Sequence, residues 1–257
     1  MRKSLLPLIT LMLMFSLAKA QSVEEYIAKA EESYKVFNHQ DALAALKNAE
    51  KLDPNNWEVI WRLSRTYVDI AEKLPTETSE QEDKQESTFI TAMDYADKAI
   101  KIAPEKSVSH LRRAIAGGKI ALFKGVFSVA DVVNKVRDDV EKAISLNNGS
   151  DFDQAVAHYV LARTHAKISE KWAPARSVLG LGWADLEIAL QQYELALKRE
   201  TNFTMIYVDY AIALIREDEY EKARKMLNKA LECPLRDEDD PQRKAEAKEL
   251  LKEIEDE

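Results

Sequence analysis

The sequence predicts an all-α solenoid of about five helix pairs, with insertions and a C-terminal capping helix. Two observations predict it. The first is composition. The 257 residues include only 6 Gly and 7 Pro, with 46 % apolar and 32 % charged residues. Abundant Ala, Leu, Glu and Lys favour helix throughout, and these proportions exclude a collagen-like or low-complexity chain. The second is a recurring pattern. An apolar residue is followed by another four positions on, by Ala three further, and by a helix-stopping residue about five later. Positions i, i+4 and i+7 share one face of a helix.

The N-terminus reads as a leader. Arg2 and Lys3 precede the apolar run Leu5 to Leu17, and Ala18-Lys19-Ala20 places small residues at −3 and −1 before Gln21. That is the layout of a secretory signal peptide over residues 1–20. The run is shorter than the ~20 residues a transmembrane helix needs, and no cysteine follows it to take a lipid anchor. The expected product is periplasmic or secreted, from a bacterial host. Its loss removes three positive charges from a net −8, so the mature chain is acidic. An acidic chain argues against nucleic acid as a partner.

The helical pattern then runs in units. Ala42, Leu46 and Ala49 stop at Pro54; Ala92, Ala96 and Ala99 stop at Pro104. Val136, Val140 and Ala143 stop at Asn148. Ala189, Tyr193 and Ala196 stop at Thr201, and Ala223, Leu227 and Ala230 stop at Pro234. Small residues let a neighbouring helix approach, and proline ends each helix. A partner helix precedes each one, carrying Tyr26, Ala30 and Tyr34 in the first unit and Tyr207, Ala211 and Leu214 in the last. This helix–turn–helix layout resembles the tetratricopeptide repeat. The units are expected at about 23–56, 57–106, 107–150, 155–203 and 204–235.

The second Ala of each motif falls at 49, 99, 143, 196 and 230, and only the last interval matches the ideal period of about 34. The other units therefore carry insertions. Pro75–Asp83 is polar and acidic and is expected as a solvated loop. The stretch from Gly117 to Phe127 is expected to lengthen its helices and turn late. Trp172–Trp183 is apolar and is expected to fold over a groove or a neighbouring unit. The cap is expected over 241–254, with Asp240 as N-cap, Pro241 opening the helix and Ala247, Leu250, Leu251 and Ile254 forming its stripe.

From Trp57 onward the chain resembles the regulator of microtubule dynamics family of tetratricopeptide proteins. The matching segments are Trp61-Arg62-Leu63-Ser64-Arg65-Thr66-Tyr67, Glu141-Lys142-Ala143-Ile144, Leu161-Ala162-Arg163, Asn202-Phe203 and Glu246-Ala247-Lys248-Glu249-Leu250-Leu251. The resemblance implies a non-catalytic helical repeat; members are associated with microtubules or membrane contacts. The leader departs from that setting, so the fold is carried over and the cellular role is not.

No phosphate loop, nucleophile elbow or His-Glu-x-x-His helix occurs, so no catalytic residue, metal or cofactor is expected. His158 and His165 lie seven apart on one helix face, but zinc needs three or four ligands. His39 and His110 are expected packed or exposed, and Cys233 buried and inert or else paired with another chain. Two glycosylation sequons, Asn148-Gly149-Ser150 and Asn202-Phe203-Thr204, matter only in a host that glycosylates.

The candidate site is the concave face, lined in such solenoids by the first helix of each unit. Expected there are Ile27, Tyr34, Trp61, Arg65, Val68, Leu111, Ile115, Lys119, Tyr159, Arg163, Met205, Val208, Ile212 and Arg216. Tyr34, Trp61, Arg65, Lys119, Tyr159, Arg163 and Arg216 are the candidate partner-binding residues. Arginine grips carboxylates bidentately, and aromatic residues and Arg are enriched at binding hot spots. The expected partner is a protein or peptide, acidic or offering a C-terminal carboxylate. The competing expectation is that these arginines pair with acids on adjacent helices and fasten the stack. A small-molecule carrier is the second functional class, with its pocket closed by the apolar insertions.

Overall fold

The computed structural model describes residues 22–125 and 127–257. The expected leader lies outside them. Among the described residues the chain forms twelve helices and no strand. Helices α1 (Val23–Lys35) and α2 (His39–Leu52) form the first pair, and α3 (Trp57–Glu72) and α4 (Ser79–Ile102) the second. Helices α5 (Ser107–Lys124) and α6 (Ala130–Leu146) form the third. Helix α7 (Asp151–Ser169) pairs with α9 (Leu186–Arg199), with the short α8 (Ala173–Val178) between them. Helices α10 (Thr204–Ile215) and α11 (Tyr220–Glu232) form the last pair, and α12 (Asp240–Glu253) caps it. None of these helices is long and apolar enough to cross a membrane.

The helix starts follow local chemistry. Ser22, Thr78 and Ser150 each complete a capping box with the residue three on, so two orphan backbone N–H groups are satisfied at each start. Asn38, Asn56 and Asp185 cap α2, α3 and α9 with one side-chain acceptor each. The turns between paired helices repeat as well. In the first unit Asn38 N–H donates to Ser33 O at 2.9 Å, with Phe37 at φ 60°. In the last, Glu219 N–H donates to Leu214 O at 3.0 Å, with Asp218 at φ 57°. Both are six-to-one helix-ending bonds closed by a left-handed residue.

Every motif residue is buried. Leu46, Ala49, Ala92, Ala96, Ala99 and Val140 are fully covered, as are Ala189, Ala196, Ala223, Leu227 and Ala230. Ala99 of α4 joins the same core as Ala49, Val59 and Leu63, so these alanines set the distance between successive units. Gly117 serves the same purpose in α5. A Cβ there would stand 3.1 Å from the Val136 methyl of α6.

The structure corrects two expectations and decides a third. Most of the Pro75–Asp83 segment is helix, because Thr78 and Gln81 form a capping box and start α4 at Ser79. Asp240 is the first residue of α12 and not its N-cap. Its carboxylate accepts from the backbone N–H groups of Arg236 and Asp237, at 2.7 and 2.9 Å, and so shapes the turn before the helix. The Trp172–Trp183 insertion takes the second of its two expected places, against a neighbouring unit and not over the groove. Leu181 is fully buried with Ala121, Val133 and Ile168, and the Trp183 indole N–H donates to Asn134 at 2.8 Å. The insertion therefore wedges the ends of α5, α6 and α7 together, leaving Trp172 and Val178 exposed. The late turn after α5 matches expectation, at Gly125 with φ 83°.

Ala99→Leu is expected to overpack the contact between the first two units and cost about 1–3 kcal/mol. A lowered urea midpoint, followed by far-ultraviolet circular dichroism, checks it.

Candidate functional site

The first helix of each unit faces one concave groove, which holds a cavity of about 220 Å³. Tyr34 of α1 lies at one end, followed by Arg65, Val68, Asp69 and Glu72 of α3. Arg112, Ile115 and Lys119 come from α5, and Val156, Tyr159, Val160 and Arg163 from α7. Phe203 and Met205 close the far side at the start of α10. Asp237, from the turn between α11 and α12, reaches the same cavity. The walls are mainly apolar, and two clusters hold most of the buried charge.

The first cluster is built on α1, α3 and α5. The Arg65 guanidinium lies 3.6 Å over the Tyr34 ring and donates to Glu31 at 2.7 Å. Arg62 donates to the same Glu31 oxygen at 2.6 Å. Burial opposes the charge on Glu31, but Arg65 and Arg62 outweigh it and hold the carboxyl below its usual range. Trp61 stands behind this wall and not on it. Its ring carries Arg62, Arg65 and Arg112 at 4.1, 5.2 and 5.3 Å, a cation–π contact that holds three like charges near one another.

Asp69 sits deeper. Burial lifts its carboxyl to about 6, although His39, Arg65 and Arg112 act the other way. Burial and the Asp69 charge together push the Tyr34 hydroxyl far up. Burial also lowers Arg112, whose Nη2 reaches Asp153 at 3.4 Å. The Nε atoms of Arg65 and Arg112 and the Oδ2 of Asp69 are buried without a hydrogen-bond partner. Buried polar atoms in that condition are rare and costly.

The second cluster is more fully paired, although the Nε of Arg163 is also buried without a hydrogen-bond partner. The Tyr159 hydroxyl donates to Asp209 at 2.7 Å and accepts from Arg163 at 3.0 Å. Arg163 and Arg243 both pair with Asp209, at 3.5 and 3.4 Å. Lys119 is paired with Glu72 across the groove wall.

The seven candidate residues thus separate. Tyr34, Arg65, Lys119, Tyr159 and Arg163 line the cavity. Arg216 does not. It donates to the Ala166 carbonyl at 2.8 Å and to Ser169 at 3.0 Å, and so fastens α10 to the end of α7. Leu111 and Val208 are core residues and not groove residues. Their helices turn those positions onto neighbouring units. Arg112, Asp69 and Asp237 belong to the site and were missed. Arg112 lies beside Leu111, one residue out of the assumed register, and Asp69 follows Arg65 at i+4. No local signal marks Asp237.

Three of the four histidines serve packing. His158 Nδ1 meets Gln192 at 2.7 Å, and His165 accepts from the Asp185 backbone N–H at 3.1 Å beneath Trp183. His110 bridges Pro104 and Asp139. Cys233 is buried against the Thr201 carbonyl, and burial raises its thiol. No cluster of three metal-ligating side chains occurs among the described residues.

A family model described as "Regulator of microtubule dynamics protein 1-3" matches residues 25–255. The chain belongs to that family. It is 27 % identical to regulator of microtubule dynamics protein 3 of Rattus norvegicus over 203 residues, which is 77 % of this chain and 41 % of that protein. It is 29 % identical to regulator of microtubule dynamics protein 1 of Mus musculus over 125 residues, covering 49 % and 39 % respectively. The chain therefore spans about two fifths of the curated relatives it matches. Among solved structures, TTC0263, a tetratricopeptide repeat protein of Thermus thermophilus, superposes with a TM-score of 0.62 at 16 % identity. That superposition covers 88 % of this chain and 98 % of that one, and it establishes the all-α repeat solenoid as the fold.

The raised Asp69 predicts a pH signature. Its pKa is about 6 in the fold against 3.8 when solvated, so the native state binds more protons between these values. Its contribution to stability is full below pH 3.8 and is lost as pH rises through 6. Asp69→Asn is therefore expected to stabilise the fold at pH 8, by on the order of 3 kcal/mol and so with a raised Tm, and to give little gain at pH 4. Thermal melts of both proteins across that range check the sign.

Proposed function

We propose that this chain is a non-catalytic helical-repeat scaffold whose concave groove binds a segment of a partner protein outside the cytoplasm. The observation that carries this reading is the first charge cluster. Arg65 and Arg112 bring guanidinium groups to an apolar cavity and leave buried Nε atoms without acceptors. A peptide carboxylate supplies acceptors of the right kind. The remaining wall, with Val68, Ile115, Val156, Phe203 and Met205, suits an adjoining apolar side chain. Peptide recognition on a helical surface is an ordinary mode, and repeat arrays present such extended surfaces. The names of the relatives also speak for a protein partner. The leader pattern of residues 1–20 supports placement in the periplasm or outside the cell.

The carrier reading is favoured by one observation, the apolar wall. Cavity size weighs against it. At about 220 Å³ the space falls below the ~300–1,000 Å³ of usual small-molecule sites, and fits a side chain or chain terminus better. Native mass spectrometry of protein purified from its own host separates the two. A bound molecule of fixed mass supports the carrier.

Two measurements test the main reading. Fluorescein-labelled nonapeptides ending in an apolar residue with a free carboxylate are expected to bind with micromolar Kd. Arg65→Ala with Arg112→Ala is expected to weaken them at least tenfold, the loss of a charged hydrogen bond, and amidating the terminus to do the same. Equal binding by the double variant returns the arginines to a fastening role. Separately, the mature N-terminus is expected at Gln21 by mass spectrometry, and an N-terminus at Met1 overturns the proposed location.

A further inference from the structure

The acidic turn between α11 and α12 makes contacts that its place in the sequence does not explain. It is anchored on the last units. Asp240 accepts from Arg236 and Asp237, Asp237 accepts from Asp239 N–H at 3.0 Å, and Arg236 pairs with Glu200 at 2.9 Å. Lys244 donates to the Leu231 and Cys233 carbonyls below it. Its tip then crosses the groove to the first two units. Glu238 meets His39 at 3.1 Å and Lys73 at 3.5 Å, and Asp239 meets Lys73 at 2.8 Å. These partners lie 165 to 199 residues apart in sequence. The extensive helix–helix packing joins near neighbours along the chain, and none of it joins α1–α3 to α10–α12.

Two features mark this contact as separable. Lys73 and Asp239 are 44 % and 38 % exposed, and ion pairs that exposed hold weakly and are screened by salt. The turn also brings carboxylates to His39 and Lys73, and Asp237 enters the cavity that Asp69 and Glu72 already line. A buried acid there is unfavourable, and burial raises the Asp237 carboxyl.

We propose that residues 237–239 are a tethered acidic occupant of a docking seat formed by His39 and Lys73 at the rim of the groove, and that an acidic segment of the partner takes this seat by displacing them. The turn is a clasp. Closed, it joins the two ends of the solenoid. Open, it exposes the seat and widens the groove. This rests on the groove-binding reading above and adds to it the charge of the partner and the competitor already in place.

The test uses the whole mature chain with the clasp disabled by Glu238→Gln and Asp239→Asn. Spin labels at Glu77→Cys and Gln242→Cys, in a Cys233→Ser background, report the distance between the two ends. The probe for the seat is a fluorescein-labelled peptide with the chain's own residues 234–241, and a lysine-rich peptide of equal length is the control. The distance is expected to lengthen or broaden in the disabled variant, and in wild type at 0.5 M NaCl. The disabled variant is expected to bind the acidic peptide at least fivefold more tightly than wild type, and Lys73→Glu to abolish that gain. An unchanged distance overturns the clasp, whatever the peptide does. An altered distance with no gain in acidic-peptide binding, or an equal gain for the lysine-rich control, overturns the seat. The carboxylate-ended nonapeptides distinguish the underlying reading. If they bind wild type while the seat test fails, only this inference falls; if they too fail, the groove reading falls with it.

Discussion

The structure depends on how closely successive helices approach. Each unit places a small residue where its second helix meets its neighbours, and those positions are covered from the first unit to the last. Interiors packed to crystal-like density leave no slack at such points. The remaining side chains are arranged by this spacing. It stacks the first helices side by side and so forms a groove from residues distant in sequence. Gly117 against Val136 shows the limit, where even a methyl group would crowd the contact.

The groove combines two kinds of polar construction. Tyr159, Arg163, Asp209 and Arg243 form a network whose charges answer one another, and it ties α7 to α10 and α12. The Tyr34, Arg65, Asp69 and Arg112 cluster is less complete. Its guanidinium groups are stacked on aromatic rings and paired at their outer nitrogens, while buried atoms lack acceptors. A network paired at most of its atoms fastens the helices it joins. The less complete cluster lines the cavity, and this is the ground on which a binding role is proposed for it. The fastening expectation holds for Arg163 and Arg216, which pair with groups on adjacent helices, and the binding expectation for Arg65 remains the proposal made above.

The insertions divide in a similar way. The apolar stretch around Leu181 and Trp183 fills space between α5, α6 and α7 and lengthens the third and fourth units without entering the groove. The acidic turn does the reverse. It is short and polar, yet it reaches the opposite end of the molecule. Apolar insertions bury themselves locally, because any nearby core accepts them. Charged ones go where an opposite charge stands, and the curvature of the stack brings His39 and Lys73 within reach.

Helices, their ends and the repeat were legible in the sequence because each rests on short-range rules. The alanine spacing, the stops at Pro54, Pro104 and Pro234, and the capping residues act within one or two turns of chain. Five of the seven candidate residues fall on the cavity for the same reason, since helical periodicity carried from one unit to the next keeps the face. Where the register slips by one residue, as between Leu111 and Arg112, only packing decides which of the two faces the groove. Arg216 reads like Arg163 in sequence, but the end of α7 lies beside it and takes its donors. The contact of Glu238 with His39 has no local signal at all. It exists because the angles between twelve helices accumulate into a curve, and that sum is a property of the folded stack and not of any segment of the chain.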